Sequence, residues 1–87
     1  MTNSAMTNRQ WHAFDLLRRA RRESPDTDDG LVYGSATFYD VEIRVAYVHW
    51  STARALERRG LVTFGPYDPD WGTSITLTER GAVAVSA

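Results

Sequence analysis

The chain contains neither cysteine nor lysine, and it has no long apolar run. Without cysteine there is no disulfide framework, no thiol catalysis and no thiolate metal site, and a cytoplasmic setting fits. No apolar stretch approaches the roughly 20 residues that cross a bilayer, and the start Met1-Thr-Asn-Ser-Ala carries neither a basic nor an apolar export segment. The expectation is a chain neither exported by a signal peptide nor inserted in a membrane. A glycine-rich phosphate cradle and a Gly-x-Ser-x-Gly elbow are both missing, so an enzyme is not expected. His12 and His49 fall on separate predicted elements without convergent ligand spacing, which argues against a metal site and against acid–base chemistry. Asp26, Asp28 and Asp29 lack the spaced ligands and closing glutamate of a calcium loop, and read as an acidic surface loop. Neither a cofactor nor a metal is expected.

What is present is enough for one small domain. A chain of 87 residues buries only about 60–65% of its unfolded surface, so large rings must supply much of the core. Three Trp, four Tyr and three Phe are available for that. The expected organisation is a flexible stretch over residues 1–7 and a single domain over 8–87.

Net charge is −1, which gives no global electrostatic case for nucleic acid. The distribution is uneven: residues 8–22 carry +4, residues 23–42 carry −6, residues 43–60 carry +3 and the remainder −2. Both positive blocks coincide with predicted helices. All ten cations are arginine, a side chain suited to bidentate phosphate and guanine contacts, although a GC-rich coding sequence produces the same bias.

Thr7-Asn-Arg-Gln10 is a capping box ahead of apolar Trp11, Phe14 and Leu17, with Leu16 and Ala20 beside them, and predicts a helix over about 8–22. Its last turn holds Arg18, Arg19, Arg21 and Arg22, where cations also complement the helix dipole. Over 41–48 two periods compete. As strand, Val41, Ile43, Val45 and Tyr47 alternate with Glu42, Arg44, Ala46 and Val48; as helix, Phe38, Val41, Val45 and Val48 share a face. The β-branched and aromatic content favours strand, paired with Leu31-Val-Tyr33. A helix then runs from His49 or Trp50 to Arg59, stopped by Gly60. It turns Ala53 and Leu56 inward and presents Ser51, Arg54, Ala55 and Arg58. Leu61–Phe64 and Thr73–Leu77 read as two strands around the turn-rich Gly65–Gly72, with Ile75 and Leu77 facing the core. Thr78 caps a final short helix with Glu79 in its first turn, weakened by Gly81, and Ala82-Val-Ala-Val85 supplies apolar packing.

Thr52-x-x-Ala55-Leu56-x-x-x-Gly60-Leu61-Val62, then a hairpin, then Leu77-Thr78-x-x-Gly81, resembles the recognition helix, wing and following helix start of winged-helix regulators of the MarR-like kind. The resemblance covers about residues 50–81. It implies a small α+β domain with helices on a short antiparallel sheet and a β-hairpin wing, usually dimeric, that binds double-stranded DNA. At this size it fits a transcriptional regulator of phage, plasmid or accessory-gene type.

By position, Ser51, Arg54 and Arg58 would meet a major groove, with Trp50 and Thr52 at the helix start, and Arg18, Arg19 and Arg22 would touch the backbone. Trp50 also reads as a core residue on its size. The chain departs from the family in a short recognition helix, no evident helix before it, and a wing carrying Asp68 and Asp70 where a cation usually reaches the minor groove. That wing supports a second reading, a protein-interaction module with Tyr67, Asp68, Asp70 and Trp71 as its contact surface.

Overall fold

The computed structural model describes residues 6–24, 29–34, 36–70 and 72–80. The order of elements is α1 (Asn8–Glu23), β1 (Gly30–Tyr33), β2 (Phe38–Asp40), β3 (Val45–His49), α2 (Trp50–Arg58), β4 (Val62–Asp68) and β5 (Gly72–Leu77). The result is a small α+β domain with two helices and one five-stranded sheet of order β2-β3-β1-β5-β4.

Local chemistry fixes both helices. Thr7 Oγ1 accepts from Gln10 N–H at 3.2 Å and Gln10 Oε1 accepts from Thr7 N–H at 3.1 Å, so the capping box starts α1. Met6, one residue earlier, packs against the core. At the end of α2, Gly60 sits at φ +75°. Its N–H donates to Glu57 O at 2.9 Å and the Leu61 N–H donates to Leu56 O at 3.1 Å. These two bonds form a Schellman motif, with buried Leu56 and Leu61 as its apolar pair.

The sheet is mixed, where an antiparallel sheet was expected. β1 runs parallel to β3, with Gly30 opposite Ala46 and Val32 opposite Val48, while β5 pairs antiparallel with both β1 and β4. Leu31–Tyr33 is indeed the partner of β3, but the expected strand over 41–48 is shorter at its start. Residues 41–44 form the turn of a β2–β3 hairpin, held by Asp40 Oδ1, which accepts from the N–H groups of Glu42 and Ile43 at 2.9 and 3.2 Å. Arg44 closes that turn at φ 58°. The hairpin occupies the stretch just before α2.

Both helices lie on one face of the sheet. Ala13, Phe14, Leu17 and Ala20 of α1 and Ala53 and Leu56 of α2 pack on Ala46, Val48, Val62, Ile75 and Leu77. The inward set on β3 is the small pair Ala46 and Val48, whereas Val45 and Tyr47 face outward. The reason is the closeness of α1: a Cβ placed on Gly30 would stand 2.5 Å from Leu17 Cδ2 and 2.9 Å from Ala46 O. A helix so near leaves no room for Tyr47 beneath it. Trp11, expected in the core, is half exposed at the rim of α1.

Asp29 is the second departure. It is 1% exposed and not part of an acidic surface. Its Oδ2 accepts from Leu77 N–H at 2.7 Å, and its Oδ1 accepts from Arg21 Nε at 3.4 Å. Its carbonyl accepts from Ala46 N–H at 3.3 Å. Arg21 also donates to Leu77 O at 3.4 Å. The Asp29 carboxylate therefore ties α1 to β5, and its backbone carbonyl adds β3. Asp26 and Asp28 lie outside the described residues.

β4 and β5 form the expected hairpin, but the strands reach further into the turn-rich segment than expected. Tyr67 pairs with Thr73 and Asp68 with Gly72, beyond an irregularity between Phe64 and Tyr67. Glu79 and Arg80 are helical, and the rest of that expected helix, with the apolar stretch 82–85, lies outside the described residues. Among the described residues no helix is long and apolar enough to cross a membrane.

Candidate functional site

α2 is the element that presents charge. With Ala53 and Leu56 fully buried, the outward side carries Trp50, Ser51, Arg54, Glu57 and Arg58, all exposed. Arg54 and Arg58 are one turn apart and stack along the helix. Arg54 Nε lies 3.6 Å from Glu57 Oε1, an exposed pair of the kind that contributes about 0–1 kcal/mol and yields readily to a competing anion. Trp50 is 53% exposed, so it belongs to the presented surface and not to the core.

Thr52 does not share that surface. It is 8% exposed and turned toward α1, because a step of about 100° per residue sets it beside buried Ala53 and Leu56 and away from Arg54. Ser51 remains outside, its N–H donating to His49 Nδ1 at 3.3 Å and its Oγ 2.9 Å from the same nitrogen. His49 is the N-cap of α2.

The arginines of α1 divide. Arg18 pairs with Asp15 at 3.4 Å and lies over the Phe14 ring at 5.8 Å. Arg19 pairs with Glu23 at 3.6 Å and lies over the Tyr39 ring at 4.5 Å. Both are anchored to their own helix and its neighbours. Arg22 is exposed in the last turn. Tyr39 also donates to Glu23 Oε1. That bond is the main cause holding the Glu23 carboxyl below its usual value, with Arg19 adding to it, while burial and then the Glu23 bond push the Tyr39 phenol upward.

Two features escaped the sequence reading. The first is the face of the sheet opposite the helices. There Tyr33, Phe38 and Tyr47 cluster, Phe38 stacked on Tyr47 at 4.5 Å and Tyr33 edge-on to both at 5.5 and 5.8 Å. Burial, then the charge of Asp40, raises the Tyr47 phenol. A groove of about 730 Å³ continues from this face to the hairpin and is lined by Leu31, Val45, Phe64, Pro66, Tyr67 and Asp68. Tyr67 is 71% exposed, Asp68 and Asp70 are exposed beside it, and Trp71 lies outside the described residues. The alternation of β1 and β3 held the signal for this face, since two aromatics there share a parity.

The second is a cleft of about 300 Å³ between the first turns of α1 and α2, lined by Arg9, His12, Ala36, Thr37, His49 and Thr52. Among the described residues no group of three or more histidine, cysteine or acidic side chains could hold a metal. No protein-family model matches the chain, and neither does any curated protein or solved structure.

Proposed function

We propose that the chain is a small winged-helix DNA-binding protein, acting as a transcriptional regulator, and that the outward face of α2 meets the duplex. The observation that carries this reading is the split of α2 itself. Ala53 and Leu56 fix the helix on the core, and Arg54 and Arg58 stand one turn apart on the free side with Ser51 and Trp50 at the N-terminal end. Arginine so placed suits both guanine edges and phosphates. The hairpin after α2 supplies the wing of the resemblance, and β2–β3 stands where such domains carry a helix. Arg22 is the α1 cation best placed to add a backbone contact, because Arg18 and Arg19 are engaged locally. The dimer that the resemblance implies is checked by sedimentation equilibrium.

Selection of preferred duplexes from a random pool, followed by binding of Arg54→Ala to single-position variants, tests the assignment. A bidentate base contact costs about 1–3 kcal/mol on removal and relaxes preference at one position, whereas a phosphate contact weakens all sequences alike. Unchanged affinity and preference for both Arg54→Ala and Arg58→Ala would remove α2 from the interface.

A second reading is favoured by the groove beside the wing. Tyr67, Asp68 and Asp70 border an apolar aromatic sheet face that no helix covers among the described residues, which is the composition of a protein-binding surface. Tyr67→Ala would impair such a contact and leave duplex binding intact.

A further inference from the structure

Shape and charge on the helix-free face of the sheet narrow what can cover it. Ser74 and Thr76 of β5 are short side chains set between Leu31 and Val45 on one flank and Pro66 and Tyr67 on the other, and the groove of about 730 Å³ lies over them. An irregularity between Phe64 and Tyr67 bends β4 into its outer wall. There Gly65 lies so close to Ser74 that a Cβ would collide with its hydroxyl. Phe38, stacked on Tyr47, extends the apolar surface to β2.

The charges on this face are acidic. Asp68 lines the groove at the hairpin end, and no arginine lines it. Asp40 has the parity of Phe38 on β2, and its charge reaches the Tyr47 phenol, where no cation opposes it. Arg44, the cation nearest to it in sequence, acts instead on Glu23 and Tyr39 on the helix side. Asp40 makes no ion pair among the described residues.

Size and charge then decide between occupants. Five strands about 4.8 Å apart and five residues of about 3.3 Å each give a face of roughly 20 by 16 Å, or about 300 Å² in plan, against the roughly 800 Å² per partner that a stable dimer buries. Two copies placed face to face would also bring no cation to Asp40 or Asp68. Single-stranded nucleic acid suits the rings but not the carboxylates. An extended cationic peptide suits both. By the strand register Asp40 stands level with Thr76 and Asp68 level with Gly72, on the two outer strands. The diagonal between them is about 23 Å, the reach of about seven extended residues, and it passes over Leu31 and between Val45 and Tyr47.

We infer that this face binds an extended segment of a partner protein that carries an arginine or lysine at each end of about seven residues, with apolar side chains between. Asp68 and Asp40 take the two cations, and the apolar residues lie over Leu31, Val45 and Tyr47. This partner class rests on the protein-binding reading of the face and is independent of duplex contact by α2.

The test uses the whole chain as bait for a phage-displayed library of random decapeptides, and the selected peptides are synthesised and titrated with backbone amide shifts followed by NMR. Enriched sequences with a basic residue at both ends of an apolar stretch are expected, shifting amides of β1, β3 and β5. Each should bind at least about fivefold more weakly to Asp40→Asn, to Asp68→Asn and to Tyr67→Ala. Both asparagine variants keep an acceptor for the backbone N–H groups that the carboxylates hold, so the loss reports charge. Basic peptides indifferent to either asparagine variant, or enriched peptides that are neutral or acidic, overturn the cationic partner; if they still weaken in Tyr67→Ala, the protein-binding surface stands. No enrichment, or peptides indifferent to Tyr67→Ala, overturns both. Single-stranded oligothymidylate that shifts the same amides while no peptide is selected also overturns both, and makes the face a nucleic-acid platform.

Discussion

Replacing Asp29 by alanine removes the carboxylate that ties α1 to β5 while keeping the backbone bond to β3, and its cost can be worked bond by bond. Leu77 N–H loses an acceptor at 2.7 Å in a fully buried setting, which costs about 1–3 kcal/mol for an orphaned donor. Arg21 loses its partner at 3.4 Å, but its side chain is 39% exposed, so water and the remaining bond to Leu77 O recover most of that interaction. The total is about 2–4 kcal/mol. In a domain of this size each kcal/mol lowers Tm by about 4–8 °C, so Asp29→Ala should melt about 10–30 °C below the wild type. Asp29→Asn keeps a carbonyl for Leu77 N–H and should lose about half as much. Urea titration followed by circular dichroism reads both. A loss below about 0.5 kcal/mol for Asp29→Ala would refute the reasoning, because it would mean that the carboxylate is not an obligatory acceptor for β5.

Gly60→Ala forces alanine to φ +75° with no steric clash and should cost about 1–2 kcal/mol. Gly30→Ala must displace both Leu17 and the Ala46 carbonyl and should cost about 1–3 kcal/mol through overpacking; a Gly30→Ala variant as stable as the wild type would contradict the closeness of β1 to α1. Loss of the capping box in Thr7→Ala should cost about 1 kcal/mol by the same urea assay. Because the native Glu23 carboxyl lies below its ordinary 4.5, its contribution is full above that value and fades as pH falls through the native one. Tyr39→Phe should therefore flatten the acid side of the stability profile. The opposite sign holds for Tyr39, whose phenol is raised above 10.0. Its contribution is full below that value and is lost as pH rises through the native one, so phenolate absorbance should show Tyr39 and Tyr47 titrating late.

The parts legible in the sequence are those specified within a few residues. Thr7 and Gln10 announce α1, Gly60 announces the end of α2, and the wing strands flank an evident run of turn residues. The parts that were not legible depend on partners far along the chain. Which side of β3 faces inward is decided by how near Leu17 comes to Gly30, and the smaller residues won against the larger ones. Asp29 reads as a surface acid until Leu77, 48 positions later, is set beside it. The outward face of α2 followed from helical spacing, with Thr52 misplaced by one angular step.

Fluorescence anisotropy of a labelled random-sequence duplex, at low and physiological salt, with the Arg54→Ala/Arg58→Ala double variant alongside, tests the DNA reading most directly. The expected result is binding with Kd on the order of 10⁻⁴–10⁻⁶ M that weakens as salt rises, with a salt slope smaller by about 2 in the double variant if both arginines release counterions. No binding at low salt, or binding indifferent to salt and to both arginines, would contradict it.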